Sequence, residues 1–169
     1  MNIRPVTSRD YPALLSLNNA NLPAVSELQT EGLEHLHSQA LHAWIIEDSH
    51  ALAGFCLILP PSVAYRSDNY TWVSERYDQF EYLDRVVIAE DYRGQGVGRK
   101  LYQHWFQCPG QVPLLLEVNI RPMNEGSILF HEKMGFQRVG DQETEGGRKR
   151  VQYMARRRPA SVDQERKEK

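Results

Sequence analysis

The sequence lacks the features that mark zinc-binding, membrane-spanning and secreted proteins. Its 169 residues include only two cysteines, Cys56 and Cys108, and no Cys-x-x-Cys pair, so we expect neither a metal site nor a redox motif. The longest apolar run, residues 51–59, contains a glycine and is far shorter than the roughly 20 residues that cross a bilayer. No basic segment followed by an apolar one begins the sequence. We therefore expect a cytoplasmic protein whose thiols stay reduced.

A strong charge of either sign is also absent, because the formal net charge is only -2 while 25% of the residues are charged. Such a chain has no general attraction for nucleic acids or anionic membranes, and we expect neither as a partner. With 41% apolar residues, the composition is that of an ordinary globular protein, and the length suits one domain. We predict a single domain over residues 1–157, followed by a charged, disordered tail over residues 158–169.

Apolar periodicity and turn residues predict strands that alternate with helices. Strands are predicted at about 2–6, 42–47, 51–59, 80–89, 112–120, 136–140 and 149–155, and helices at about 8–18, 25–40, 96–107 and 124–134. The polar stretch 62–79 contains Tyr65, Tyr70, Trp72 and Tyr77. So many aromatic residues are unusual in a disordered linker, and we expect a long ordered loop with a functional role.

The clearest local signal is a glycine-rich turn, residues 93–98, between a Val/Ile strand and a helix. Three glycines in five positions remove the Cβ atoms that would keep a ligand away from the backbone. The first N–H groups of a helix lack internal partners and carry partial positive charge, which suits a phosphate. Arg93, Arg99 and Lys100 add positive charge. The alternative is an ordinary strand-to-helix turn with solvated basic side chains.

Spacing excludes two other phosphate-binding loops. A Walker loop requires a glycine five positions after its first one, but Arg99 stands five positions after Gly94. A dinucleotide-binding turn requires a glycine three positions after its second one, and Arg99 again stands three positions after Gly96. Neither a Walker loop nor a dinucleotide-binding turn is therefore present here.

Two segments carry a resemblance to a known family. The pattern Arg93-x-x-Gly96-x-Gly98 after a Val/Ile strand resembles the acyl-CoA pyrophosphate loop of the GNAT N-acetyltransferase superfamily. The segment Asn124-x-x-Ser127-x-x-Phe130-His131-x-x-x-Gly135-Phe136 resembles the last helix of that superfamily. The two segments are correctly ordered, with a strand between them. The serine and histidine in the second segment resemble the phosphinothricin-type acetyltransferase subset.

The resemblance implies an α/β fold of the α+β type. We expect a GNAT-like mixed, mostly antiparallel sheet of about six to seven strands, flanked by about four helices. It also implies that the fourth and fifth strands splay apart and that acetyl-CoA, the acyl donor, binds between them. The cofactor-binding residues implied in this way are Val86, Val87, Ile88, Arg93, Gly94, Gln95, Gly96, Val97, Gly98, Arg99, Asn124, Ser127 and Phe130. Asn124 could equally be a simple helix cap. Superfamily members often dimerise, which leaves a homodimer open.

Three positions are candidates for catalysis. His131 stands where the superfamily often has a tyrosine that protonates the CoA thiolate, so it is a candidate general acid, or only a cofactor contact. An attacking amine must be neutral, so a carboxylate has to take a proton. Glu81 and Asp84 on the fourth strand are candidates, with Glu117 on the fifth as a further one. Because Glu81 and Asp84 are three positions apart, a regular strand directs them to opposite faces.

The acceptor site is expected to lie beside the aromatic segment, bordered by Tyr65, Tyr70, Trp72 and Asn18. Aromatic rings suit an amine-bearing substrate through cation–π contacts, although packing as a hydrophobic cover is the alternative. We predict an acetyl-CoA-dependent N-acetyltransferase that acetylates a primary amine on a small molecule or peptide by direct attack. The competing hypothesis, a CoA-binding regulatory or sensor module without turnover, follows from the absent tyrosine.

Overall fold

The computed structural model describes residues 1–158, so the predicted tail lies outside the described residues except for Arg158. The elements in chain order are β1 (Asn2–Pro5), α1 (Tyr11–Asn19), α2 (Thr30–Gln39), β2 (His42–Asp48), β3 (Ala51–Leu59), α3 (Asp68–Ser74), β4 (Glu81–Ile88), α4 (Val97–Gln107), β5 (Leu114–Arg121), α5 (Glu125–Lys133), β6 (Gln137–Thr144) and β7 (Lys149–Arg156). No helix within residues 1–158 is both long and apolar enough to cross a membrane.

The strands form one sheet in the order β1-β2-β3-β4-β5-β7-β6. All neighbours are antiparallel except β4 and β5, which are parallel. The predicted fold class, a mixed and mostly antiparallel sheet flanked by helices, is therefore confirmed.

The sheet opens at its parallel pair. Strands β4 and β5 pair at only two positions, Glu81 with Leu114 and Tyr82 with Leu115. Beyond Tyr82, β4 remains paired with β3, and β5 remains paired with β7. The facing backbone groups of the two diverging strands need other partners. The predicted splay of the fourth and fifth strands is thus present, and it creates a gap in the middle of the sheet.

Alternation along β3 divides the apolar core into two layers. Phe55, Leu57 and Leu59 pack with α1, α2 and α3 on one face, whereas Cys56 and Ile58 pack with α4 on the other. This follows from the two-residue period of a strand. The four-residue stripe of α4, Val97, Leu101 and Trp105, is buried in the second layer. Helices therefore cover both faces of the sheet and leave the gap as the main opening.

The structure differs from the prediction in two places, at the start of the second helix and in the segment 62–79. The second helix begins at Thr30 rather than at residue 25, because Asn19 bonds both backbone groups of Leu28 (2.9 and 3.0 Å) and holds residues 20–29 as a turn. The segment expected to be a loop contains α3, which begins where Ser67 caps the N–H of Tyr70. The described residues therefore form five α-helices rather than about four.

Candidate active site

The gap between β4 and β5 forms a cleft of about 1210 Å³. Its walls come from the two strands, the glycine-rich turn, the first residues of α5 and the α1–α2 connection. All of the predicted cofactor-binding residues line it except Gln95, whose side chain donates to the backbone oxygen of Asp91 at 2.5 Å. The expected contribution of Gln95 is its backbone N–H, which this side-chain contact leaves free, so Gln95 stays a prediction.

One end of the cleft is suited to a pyrophosphate. Gly94 and Gly96 have φ angles of +72° and +78°, in the left-handed region that side chains disfavour. An added Cβ at either would meet no atom within 4 Å, so the space above the turn is open. Helix α4 begins directly after Gly96 and has no side-chain cap. The first N–H groups of α4 therefore face an open, electropositive space, which fits a bound phosphate.

Helices α4 and α5 meet closely beside this turn. A Cβ at Gly98 would stand 3.4 Å from the ring of Phe130, so the glycine permits their close approach. Asn124 caps α5, accepting a hydrogen bond from the N–H of Ser127 at 3.1 Å. The capping alternative for Asn124 is therefore present, while the residue also lines the cleft.

Arg93 connects the glycine-rich turn with the opposite wall of the cleft. Its Nε donates to the backbone oxygen of Ile88 at 3.3 Å, and its Nη2 donates to the side-chain oxygen of Asn21 in the α1–α2 connection. The glycine-rich end of the cleft is thus linked directly to a segment that borders its other side.

A bulge in β4 places Asp84 in the cleft. The register of β3 against β4 shifts at this point, since Leu57 faces Arg85 while Ile58 faces Leu83. Asp84 and Arg85 form an ion pair at 2.7 Å, with both side chains 4% exposed. Arg85 also donates to the side chain of Asn18 at 3.0 Å. Asp84 is therefore the one of the two β4 candidates that lines the cleft, but it is already engaged by a buried guanidinium.

Glu81 lies on the other side of the sheet and does not line the cleft. Its carboxylate accepts hydrogen bonds from Nε1 of Trp105 at 2.5 Å and from Arg158 at 2.9 Å. Both side chains of the Glu81–Arg158 ion pair are almost fully buried, at 5% and 4% exposed. The prediction of Glu81 as a base is corrected, because the strand alternation turns it toward α4. Arg158, assigned to the tail, packs against the domain.

Glu117 is the carboxylate that the cleft favours. Its two oxygens are held separately, Oε2 by the hydroxyl of Tyr82 at 2.5 Å and Oε1 by the amide of Asn69 at 3.0 Å. Burial raises the pKa of Glu117 to about 7, with the charge of Asp84 adding to the rise and the two hydrogen bonds opposing it. A carboxylate with this pKa is half deprotonated near neutral pH, which suits a general base.

His131 is buried and its two ring nitrogens are both occupied. Nδ1 lies 2.7 Å from the backbone oxygen of Ser127, which can only accept, so Nδ1 carries the proton. Nε2 then accepts from the hydroxyl of Tyr102 at 2.5 Å. Burial lowers the pKa of His131 to about 4. This arrangement argues against the general-acid prediction, because the one proton of the neutral imidazole is held by the backbone oxygen of Ser127 and Nε2 carries none.

The aromatic segment is mainly a cover. Of the four residues expected to border the acceptor site, only Tyr65 lines the cleft. Tyr70 is in the core, with its hydroxyl donating to the backbone oxygen of Pro60 at 2.7 Å. Trp72 stacks on Tyr153, with ring centroids 3.8 Å apart. Asn18 is fully buried beneath the cleft. The hydrophobic-cover alternative therefore describes most of this segment.

Metal ligation has no support within residues 1–158, where no group of three or more His, Cys, Asp or Glu side chains could hold an ion.

Comparisons with known proteins bear on this cleft. The family described as "Acetyltransferase (GNAT) domain" matches residues 39–138, more than half of the chain. A peptidyl-lysine N-acetyltransferase of Salmonella typhimurium is 35% identical over 66 residues, which cover 38% of this chain and 42% of that protein. The matched part is thus less than half of the relative's length.

Two solved structures share the fold. The ribosomal-protein-S18-alanine N-acetyltransferase of Escherichia coli superposes with a TM-score of 0.71 at 18% identity, over 95% of both chains. Naa20 of Chaetomium thermophilum, solved with a bisubstrate analogue, gives a TM-score of 0.75 at 17% identity, over 99% of this chain and 90% of that one. At such identities the likeness is one of fold, and function has to be argued from the site.

Proposed function

The chain belongs to the GNAT acetyltransferase family, and from this we propose that it transfers the acetyl group of acetyl-CoA to a primary amine. The observation that carries the proposal is the cleft itself. The open glycine-rich start of α4 lies at one end of the cleft. Glu117, on β5, lines the cleft where β4 and β5 diverge.

The end of the cleft at the glycine-rich turn, called the donor end, supplies groups for two parts of acetyl-CoA, the pyrophosphate and the pantetheine arm that carries the acetyl thioester. The N–H groups at the start of α4, with Arg93 and Arg99, suit the pyrophosphate. The unpaired edge of β4 over Val86, Val87 and Ile88 offers backbone groups to the amides of the pantetheine arm. This part of the cleft would position the donor without using any charged side chain near the reacting carbon.

Glu117 is proposed as the general base. An alkylamine has a pKa of about 10.4 and is therefore a cation at neutral pH. The Glu117 carboxylate takes one proton from this ammonium and later releases it to water in the cleft. The neutral amine attacks the acetyl carbonyl, the C–N bond forms as the C–S bond breaks, and a second proton leaves the nitrogen and is taken up by the departing CoA thiolate. Asp84, which is engaged by Arg85, adds negative charge that attracts the cationic acceptor.

His131 is proposed to position Tyr102 rather than to act as an acid. Both side chains line the cleft beside Ser127 and Phe130. A fixed Tyr102 hydroxyl would shape the wall near the reacting sulfur, and the neutral His131 keeps that wall uncharged. This assignment replaces the sequence-based role of His131.

The acceptor is proposed to be an amine on a peptide or a small molecule. The cleft opens toward the α1–α2 connection and the β6–β7 hairpin, with Tyr65, Glu145 and Lys149 at its lining. The Salmonella relative is named for peptidyl lysine and the E. coli structure for an alanine of ribosomal protein S18. Lysyl side chains and peptide α-amines therefore come first among acceptors to test.

We further propose a cytoplasmic location, which suits the two free cysteines because thiols are kept reduced there. A homodimer stays a prediction.

The test is a free-thiol assay with acetyl-CoA and a panel of lysyl peptides, peptides with free α-amines, and small primary amines. The proposal predicts thiol release that depends on the amine, with the acetylated product seen by mass spectrometry. Stabilisation by CoA without turnover on any class would instead indicate a sensor module. No stabilisation by CoA at all would refute donor binding, since a ligand at about 100 times its Kd adds about 2.7 kcal/mol.

A further inference from the structure

Asn69 lies on α3, within the aromatic segment 62–79 that the sequence predicted to border the acceptor site. Most aromatic residues of that segment do not line the cleft. We propose that Asn69 is a positioning residue that holds the Glu117 carboxylate in place to deprotonate the acceptor. This inference rests on the proposed function, and it assigns α3 a part in the reaction.

The Asn69 side chain is oriented by two different partners. Its Nδ2 donates to Oε1 of Glu117 at 3.0 Å, and its Oδ1 accepts from the hydroxyl of Tyr153 at 3.2 Å. Because the carboxylate can only accept, the amide NH2 has to face Glu117, which leaves Oδ1 to accept from Tyr153. The Tyr153 hydroxyl also lies 3.4 Å from Oε1 of Gln142. With Tyr82 bound to Oε2, both oxygens of Glu117 are fixed.

Stacked rings hold α3 in place over the sheet. Trp72, three residues after Asn69, stacks on Tyr153 at 3.8 Å with an angle of 5° between the rings, while Arg76 covers its other face at 4.2 Å. Gly140 on β6 lies directly beneath Trp72, where any Cβ would collide with the indole. Tyr153 therefore serves twice, as the platform for Trp72 and as the hydrogen-bond donor to Asn69.

The hydrogen bond from Asn69 favours the charged carboxylate over the neutral acid. It acts against burial, which raises the pKa of Glu117, and removing it should raise that pKa further. The other titratable or charged groups that face Glu117 are Tyr65, Tyr82, Asp84, Tyr102 and Tyr153, with Arg85 paired to Asp84. None of these residues is replaced when Asn69 is changed. Asn69→Leu does remove an acceptor of the Tyr153 hydroxyl, which can then donate to Oε1 of Gln142, 3.4 Å away.

The experiment compares kcat/KM against pH for wild type, Asn69→Leu and the isosteric Asn69→Asp. Asn69→Leu should raise the midpoint of the acidic limb by about one pH unit, since a hydrogen bond to a charged group contributes about 1.5 kcal/mol or more. Activity should then be about tenfold lower at pH 6 and close to wild type above pH 9. Asn69→Asp should shift the midpoint further, because it replaces the donor by a second carboxylate.

Thr71→Ala, an exposed change on the same helix, is the matched control and should leave the midpoint unchanged. The KM for acetyl-CoA should be the same in all variants. A second readout is the ¹³C titration of the Glu117 carboxyl, which needs no substrate and should show the same order of midpoints.

Two outcomes would overturn the inference in distinguishable ways. If wild type turns over and the midpoint of kcat/KM against pH is unshifted in both Asn69 variants, the positioning role alone is overturned. The same holds if both variants lose the same fraction of kcat/KM at every pH. Absence of wild-type turnover with every amine class would overturn the proposed function and this inference with it.

Discussion

The hydroxyl of Tyr102 donates to Nε2 of His131 across 2.5 Å, in the wall of the cleft. The bond fixes the proton of the imidazole on Nδ1, where the backbone oxygen of Ser127 accepts it. The position at which related enzymes often carry a tyrosine therefore holds a neutral histidine, and a tyrosine from another helix lies beside it. The consequences can be measured.

His131 should make the protein sensitive to acid. Its pKa is about 4 when folded against an ordinary value of 6.5, so the unfolded chain binds more protons between these values. The contribution of His131 to stability is then fully present above pH 6.5 and falls as pH drops toward 4, by about 2.5 kcal/mol at pH 4.5. The raised pKa of Glu117 changes stability in the opposite sense over this range, so the contribution of His131 is measured as the difference between wild type and His131→Phe in urea unfolding at pH 7 and 4.5.

His131→Phe is the informative variant in that experiment. It should be less stable at pH 7, because Tyr102 loses its buried acceptor, yet it should lose less on acidification. A wild-type imidazole that titrates near 6.5 by NMR would contradict the neutral assignment and restore the general-acid hypothesis.

Gly96→Val should abolish donor binding. A valine at a φ of +78° is strained, and its side chain would enter the space above the first N–H groups of α4. The rise in melting temperature that CoA should give in wild type should disappear in this variant. Gly146→Val is the matched control, because Gly146 also has a positive φ (+64°) and open space but lies outside the donor end. Equal loss of CoA binding in both variants would refute the glycine-rich turn as the phosphate site.

Glu81→Gln should act on stability and not on the reaction. Removing one charge of the buried Glu81–Arg158 pair leaves the other without compensation, at a cost of about 3 kcal/mol or more. The double variant Glu81→Gln with Arg158→Met should recover part of this loss in urea unfolding. In the variants that fold, kcat/KM should fall at low pH with the same midpoint as in wild type. If kcat/KM of Glu81→Gln no longer depended on pH in the acidic range, Glu81 would again be a candidate general base.

The parts of the fold that sequence predicted well are those with local causes. The glycine-rich turn depends on backbone geometry at Gly94 and Gly96, which the residue type reports directly. Strand β3 and the α4 stripe follow from their own apolar periods. Family resemblance added the splay between β4 and β5, which no periodicity indicates.

The parts that sequence missed depend on contacts between distant residues. Glu117 is bonded to Asn69, 48 positions away, and Tyr153 is bonded to Asn69 across 84 positions. Helix α3 is short and polar, and it is stabilised by the stacking of Trp72 on Tyr153 rather than by its own pattern. The bulge at Asp84 likewise arises from the pairing of β4 with β3. Nothing in the sequence near any of these residues reports its distant partner.

The measurement that tests the account most directly is kcat/KM against pH for wild type and Glu117→Gln, with any acceptor that the amine panel identifies. Wild-type activity should rise through a midpoint near pH 7, the pKa of Glu117, and then level off. The kcat/KM of Glu117→Gln should be about 10²- to 10⁴-fold lower than that of wild type and should not rise with pH through this midpoint. The exposed Glu34→Gln serves as the matched control, with a wild-type profile expected. A Glu117→Gln enzyme that retains the limb and most of the activity would contradict the account.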